Sequence, residues 1–368
     1  FTTLNTLSKV FSNLYVYGVS DPKSSEVQNL IIVATNSNNI PDFDKITQSS
    51  PNTFVASSSA QLVDLNRFNL NAYPIFTDNY VPTDYYATLE ISRQIEEQTK
   101  RGEQLMGLIQ QQLSFGPRYV GSTGHEQTNL FIQAELETYA DETLVQIWSH
   151  PETNQNFTLT NLIGRFNPNL ENRILIGSHY DTKQTATDKN QPVPGANDGA
   201  SGTAILLQLA HDLSKNPISN IGIDLVFFDG EEGIESAPTW APIGSTYFAQ
   251  NTDNLYKTLP QQALIVDMVC DKNLQIYPEM SSAQAAAEQL NQFTTLANEL
   301  YPQNFYTTPK HQISDDHTPL NQIGIPSFLI IDFDYPAFHT TQDNLSQCSA
   351  DSLEKVHHVI DSYIRSLN

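Results

Sequence analysis

The stretch Leu225-Val-Phe-Phe228-Asp229-Gly-Glu231-Glu232 sets four apolar residues directly before an Asp-Gly turn and two adjacent carboxylates. A short apolar run closed by a turn signal reads as a buried strand. Two neighbouring glutamates are ordinarily solvated surface charge, but a surface pair has no reason to follow a buried strand so closely. Three further runs end the same way. Ile174-Leu-Ile-Gly-Ser178 leads into His179-Tyr-Asp181, Leu264-Ile-Val266 leads into Asp267, and Phe328-Leu-Ile-Ile331 precedes a loop reaching His339. One polar residue capping a strand is ordinary. Four at once point to a site, because ligands of open α/β sheets bind outside the carboxyl ends of the strands.

Working outward, helical periodicity covers residues 89–112 and 125–139, the second after a Gly121-Ser-Thr-Gly124 punctuation suited to a helix start. Strand-like runs at 173–178, 221–228, 263–269 and 325–331 alternate with helical ones at 203–213, 244–250, 283–300 and 349–367. Such alternation predicts an α/β domain around a largely parallel sheet. Residues 1–89 differ, being rich in Asn, Ser, Thr and Tyr, with strand-like runs at 14–18 and 29–35 and a short helix near 61–68. That order, followed by Thr77-Asp-Asn-Tyr-Val-Pro82, resembles the C-terminal end of a spermidine-synthase-like fold. Gly18 is the segment's only glycine, so it holds no glycine-rich phosphate cradle. The expected organisation is an N-terminal α/β appendage over 1–89 and a catalytic domain over 90–368.

The 368 residues carry 18 Lys+Arg against 41 Asp+Glu, formally −23. That field repels a polyphosphate backbone, so nucleic acid is not an expected partner. No apolar run reaches the roughly 18 residues of a membrane span. Cys270 and Cys348 form no Cys-rich metal module, so any metal must use His and carboxylate. Two separate buried thiols are expected, a bond between them being the alternative. The sequence starts at Phe1 and reads as trimmed or processed, which leaves the compartment open with an extracytoplasmic placement, periplasmic or secreted, preferred. Oligomeric state is not legible.

A fifth element is Gly195-Ala-Asn-Asp198-Gly-Ala-Ser-Gly202, before the helical run at 203–213. It lacks the Lys of a phosphate-binding loop, and its glycines allow a tight turn that points Asp198 inward. Zinc accepts nitrogen and oxygen ligands and keeps a position open when catalytic. Asp198, Glu232 and His339 can supply one such set; His179, Asp267 and a shared Asp198 can supply a second. Glu231 is then free to move protons beside a metal-bound neighbour.

These motifs, in order, resemble the zinc aminopeptidases of the bacterial leucyl-aminopeptidase type and, more closely, the animal-type glutaminyl-peptide cyclotransferases. The likeness covers about residues 100–368 through His179-Tyr-Asp181, Asp198, Glu231-Glu232, Asp267-Met and His339-Thr-Thr-Gln-Asp343-Asn. It implies a three-layer α/β/α sandwich with a mixed sheet and one or two zinc ions. Three features tilt it toward the cyclotransferases: a long insertion with Trp240 between Glu232 and Gly244, the Asp315-Asp316-His317-Thr-Pro319 segment, and Lys183 after His179-Tyr-Asp-Thr. Phe338 departs from the pattern, since those enzymes carry tryptophan there.

The resemblance implies cyclisation of N-terminal Gln on peptides or proteins, with Glu231 as proton carrier and Asp267 and Asp315 holding the amine or amide. Trp240, Phe328, Phe338 and Lys183 would line the substrate site, and Asp181 would orient its neighbours. A two-zinc aminopeptidase is the alternative, with Glu231 as general base. A catalytically silent binding module is a third, opposed by the intact residue set.

Overall fold

The computed structural model describes residues 2–11, 13–18, 30–35, 65, 83–151, 156–237 and 239–367. The chain divides into two compact units, Phe1–Arg93 and Gln94–Asn368. In the first, helix α1 (Thr2–Ser8) precedes an antiparallel pair, β1 (Asn13–Gly18) and β2 (Leu30–Thr35), where the two strand-like runs were read. Of the expected helix at 61–68 only residue 65 is described, and the segment at 77–82 lies outside the described residues.

After α2 (Thr83–Ser114) and α3 (Thr123–Tyr139), the larger unit is built on β3 (Glu142–Pro151), β4 (Asn156–Phe166), β5 (Arg173–His179), β6 (Gly222–Phe228), β7 (Ala263–Asp267) and β8 (Ser327–Ile331). The strand order is β3-β4-β6-β5-β7-β8. β5, β6, β7 and β8 run parallel to one another, whereas β3 pairs antiparallel with β4, and β4 with β6. β5, β6, β7 and β8 are buried along their whole length, which is why they read as continuous apolar runs. The antiparallel hairpin escaped the sequence reading because β3 is an edge strand with no buried residue, so its apolar pattern is weak.

Helices α4 (Ala200–Lys215), α7 (Ala287–Leu300) and α9 (Ala350–Ser366) pack with α3 on one face, through Ile132, Leu206, Phe293 and Ile360 against Ile176, Leu225 and Phe328. On the other face α5 (Ile243–Gln250) and α8 (His317–Gln322) place Phe248 and Leu320 against Leu175, Val226 and Leu329. The fold is therefore an α/β/α sandwich on a mixed sheet. Each large aliphatic buried in these layers contributes about 1.5–3 kcal/mol, which fixes the strand ends. Because β5 lies between β6 and β7, the chain leaves it to opposite sides and a crevice opens at its carboxyl end. His179 and Asp267 are the last residues of β5 and β7, and Glu231 and Glu232 follow the end of β6. The opposite ends are closed by Asp224, which takes Arg165, Arg173 and the Tyr256 hydroxyl.

Two expectations are corrected here. Cys270 and Cys348 are bonded to each other, not separate thiols. The hydrogen bonds from Ser349 N to Cys270 O and from Lys272 N to Gln347 O clamp the two loops together and bring the Cα atoms to 4.6 Å. The helix read over 283–300 is two helices, α6 (Met280–Ala285) and α7, broken at Ala286 where φ is −131°.

Glu279 caps α6 and ties it to the segment leading to Asp315. Its carboxylate accepts from Ser281 N at 2.8 Å, Ser282 N at 2.7 Å and Ile313 N at 2.9 Å, and lies 3.3 Å from His317 Nε2. Burial alone would push this carboxyl up, but the His317 imidazole and the three backbone N–H groups outweigh it and hold it at about 2. A depressed folded-state value means that the stabilisation is complete above the ordinary 4.5 and is lost as pH falls toward about 2. Glu279→Ala should cost about 3 kcal/mol at neutral pH, as expected for breaking a buried, hydrogen-bonded charge. The variant should also lose less of its remaining stability than wild type over that acid window. Denaturant titrations at several pH values check both, and equal losses in the two proteins would contradict the assignment.

Candidate metal centre and catalytic pocket

The crevice gathers two groups of ligand atoms, each group lying within 4.8 Å: His179, Asp198 and Asp267, and Asp198, Glu232 and His339. His179 Nε2 lies 3.0 Å from Asp267 Oδ1 and 3.3 Å from Asp198 Oδ1. His339 Nε2 lies 3.2 Å from Glu232 Oε2 and 3.6 Å from Asp198 Oδ2. Asp198 therefore belongs to both groups. The residues fit zinc on an observation of this site. Among the described residues Asp198 Oδ2 and Glu232 Oε1 are buried without a hydrogen-bond partner, and the ligand atoms are the imidazole nitrogens and carboxylate oxygens that zinc takes.

Backbone geometry aims these groups. Gly199 has φ +91° and a Cβ there would sit 2.5 Å from Asp181 O, so only glycine allows the turn that starts α4 behind Asp198. The Asp181 carboxylate accepts from Glu231 N at 3.0 Å and Glu232 N at 3.2 Å, and lies 3.4 Å from His179 Nδ1. It orients both glutamates and the imidazole together. Three supports carried no assigned role in the sequence. Asp343 accepts from Asn197 N at 2.8 Å, Asp198 N at 3.1 Å and the Tyr335 hydroxyl at 2.7 Å. Arg118, fully buried, donates to the carbonyls of Tyr180, Pro194 and Gly195. Thr187 and Asp188 hold the His339 loop: Thr187 N and Oγ1 donate to His339 O at 2.9 and 3.2 Å, and Asp188 accepts from Thr341 N and Oγ1 at 2.8 and 2.7 Å. His339 needs that hold because its φ is +56°, a conformation costly for a residue with a Cβ. The only available sequence signal was Asp343 inside the His339 motif.

Beside the ligands is a cavity of about 380 Å³ whose lining includes Lys183, Glu231, Trp240, Asp267, Asp315 and Phe338. Lys183 Nζ is 3.7 Å from Glu232 Oε2, and Phe338 stacks on the His339 ring at 3.7 Å. Trp240 is 46% exposed, a rim more than a floor, and its Nε1 donates to Glu231 O at 2.8 Å. Phe328 is not in this cavity. It is fully buried on the opposite face of β8, packed against Phe293 and Tyr363, so its expected place at the substrate site is corrected to the core. Burial first, and then the Asp315 charge, push the Glu231 carboxyl well up from its ordinary range. Burial and the Asp198 charge outweigh His339 and raise Glu232 to about 7; Asp267 is likewise raised to about 7, chiefly by burial. Asp198 goes the other way, because the imidazoles of His179 and His339 overcome its burial. A cation is what this concentration of buried carboxylates calls for.

A model of peptidase family M28 matches residues 161–364, more than half of the chain. The glutaminyl-peptide cyclotransferase of Bothrops jararaca is 25% identical over 281 residues, covering 65% of this chain and 75% of that protein. A glutaminyl cyclase structure from Tannerella forsythia matches with a TM-score of 0.67 at 28% identity, covering 72% of this chain and 98% of that one. A Zn-dependent exopeptidase from Parabacteroides distasonis matches with a TM-score of 0.68 at 25% identity, covering 72% and 97%.

Asp188→Ala removes the outer half of the His339 clamp at an exposed position. Its expected outcome is a zinc affinity weakened about 10–100-fold with the melting temperature of the zinc-free protein unchanged. Competition against a chelating dye measures the first and calorimetry the second; wild-type zinc affinity would show that the clamp does not position His339.

Proposed function

The chain belongs to peptidase family M28, and from that premise we propose that it is a zinc-dependent glutaminyl-peptide cyclotransferase, converting an N-terminal Gln to pyroglutamate with release of ammonia. Membership makes it an enzyme, and its relatives divide between cyclases and exopeptidases. The observation that carries the cyclase reading is the insertion after Glu232, whose Trp240 is hydrogen-bonded to the Glu231 carbonyl at the rim of a cavity of about 380 Å³. Cyclisation requires the substrate side chain to fold back on its own amine. A small, walled cavity favours that conformer, and orientation of this kind reaches effective molarities of about 10⁵–10⁸ M in intramolecular reactions.

Asp198, Glu232 and His339 would hold the zinc. When bound, it supplies a Lewis acid that polarises the γ-carbonyl of the substrate. Glu231 takes a proton from the α-amine as the amine nitrogen bonds to the γ-carbonyl carbon. It returns that proton to the side-chain nitrogen as the old C–N bond breaks and ammonia leaves. Asp267 and Asp315 hold the amine and amide N–H groups by charge-assisted hydrogen bonds. Lys183, Phe338 and Trp240 wall the side chain.

A specific observation also favours the two-zinc aminopeptidase: the His179, Asp198 and Asp267 group offers a second site sharing Asp198. There Glu231 would activate a water against the first peptide bond.

Residues 1–89 we read as an appendage outside this chemistry, since the catalytic set begins at His179. Among the described residues no helix is long and apolar enough to cross a membrane. The Cys270–Cys348 bond supports an extracytoplasmic compartment, where disulfides persist.

Glu231→Gln should lower turnover about 10²–10⁴-fold with zinc content retained. Trp240→Ala should lower kcat/KM on Gln-peptides at least about tenfold, or roughly 1.4 kcal/mol of transition-state stabilisation. Ammonia released from Gln-peptides and amine released from Leu-anilides, measured side by side, test the reading itself. Amine without ammonia would transfer the enzyme to the aminopeptidases.

A further inference from the structure

A second cavity, of about 500 Å³, shares Gln312, Ile313 and Ser314 with the lining of the catalytic one. These three residues form a wall between the two. The wall is pinned along one side only: Lys310 N donates to Pro278 O, Met280 N to His311 O, and Ile313 N to the Glu279 carboxylate. On its other side, Gln312 and Ser314 are exposed, and neither their backbone N–H groups nor their side chains make a hydrogen bond among the described residues. Unpaired N–H groups one residue apart on a held segment are what an extended peptide needs for backbone pairing. The second cavity is otherwise lined by hydroxyl and amide groups of Ser281, Thr318 and Gln322, with fully buried His317 whose Nδ1 has no hydrogen-bond partner. Among the described residues no carboxylate, Lys or Arg lines it, so hydrogen-bonding groups make up most of its polar surface.

We propose that this wall and cavity form the subsite for the peptide that follows the N-terminal residue, with the Gln312 and Ser314 N–H groups donating to substrate carbonyls. The inference rests on the peptide N-terminus reading above and specifies its substrate class: chains of at least three or four residues, bound through their backbone and tolerant of side-chain identity. The Cα atoms of residues 312 and 314 are at most about 7 Å apart, two extended steps. Carbonyls on one side of an extended chain recur every second residue, so the two N–H groups take the carbonyls of substrate residues 2 and 4, and residues 2 to 4 lie along the wall toward the second cavity.

The test uses the zinc-loaded wild-type protein and C-terminally amidated Gln-peptides of two and four residues. The amidated dipeptide offers only the residue 2 carbonyl, so the second hydrogen bond, of ordinary net strength, should raise kcat/KM about fivefold from the dipeptide to the tetrapeptide. A tetrapeptide ending in a methyl ester in place of the C-terminal amide, a weaker acceptor at the residue 4 carbonyl, should lose most of that gain. Turnover of the dipeptide reports on the reaction, and the length ratio reports on the subsite. If Gln-peptides are inert and Leu-peptides are cleaved, the same ratios are read on the Leu series; if neither reacts, they are read as dissociation constants by calorimetry. A flat length dependence, or a gain that survives the ester, overturns the proposal.

Discussion

One buried carboxylate organises the larger unit. Asp198 lies between the His179 and His339 imidazoles at the end of a strand crevice, within reach of two further acids, Glu232 and Asp267. Burying several like charges together costs many kcal/mol unless cations or donors answer them. Two imidazoles cannot answer three carboxylates in full, and the partnerless oxygens of Asp198 and Glu232 mark what is missing. The surroundings are built to keep that arrangement from relaxing. Asp343 holds the backbone on the N-terminal side of Asp198, Arg118 locks Gly195, and Asp181 fixes the amides of Glu231 and Glu232. Such outer contacts set ligand orientation, and with it metal affinity, nearly as much as the ligands themselves.

The parts legible in the sequence were those governed by local pattern. Leu225–Phe228 and the Glu pair after them could be placed because a strand buried on both faces is continuously apolar and its end is abrupt. The same logic placed His179 and Asp267. Position along a strand is legible, but which face a residue takes depends on register. On β8, Phe328 and Ile330 turn toward α7 and α9, whereas Leu329 and Ile331 turn the other way, and Ile331 reaches the catalytic cavity. A one-residue difference in parity therefore moved Phe328 from pocket to core. Thr187 and Asp188 had no pattern to betray them, since their partners lie some 150 positions later. The Cys270–Cys348 bond was hidden for a similar reason, its closeness arising from loops that only the folded sheet brings together.

Cyclase and aminopeptidase share every metal-ligand candidate, so the difference between them rests on what surrounds the metal. Here that is the 233–242 insertion, and it is not a loose flap. Ile234 is buried with Val120 and Leu159, and Ala237 and Ile243 pack against that small cluster. An anchored insertion can keep Trp240 at the cavity rim without closing a lid on each turnover, which suits a pocket that selects one folded substrate conformer.

Metal binding at this site depends on Asp198 serving both ligand groups. Isothermal titration of zinc into metal-free Asp198→Ala, beside wild type and with circular dichroism confirming the fold, tests this most directly. The variant should stay folded and lose tight zinc binding altogether, because neither remaining pair, His179 with Asp267 or Glu232 with His339, holds the ion alone. Wild-type zinc affinity in the folded variant would contradict it.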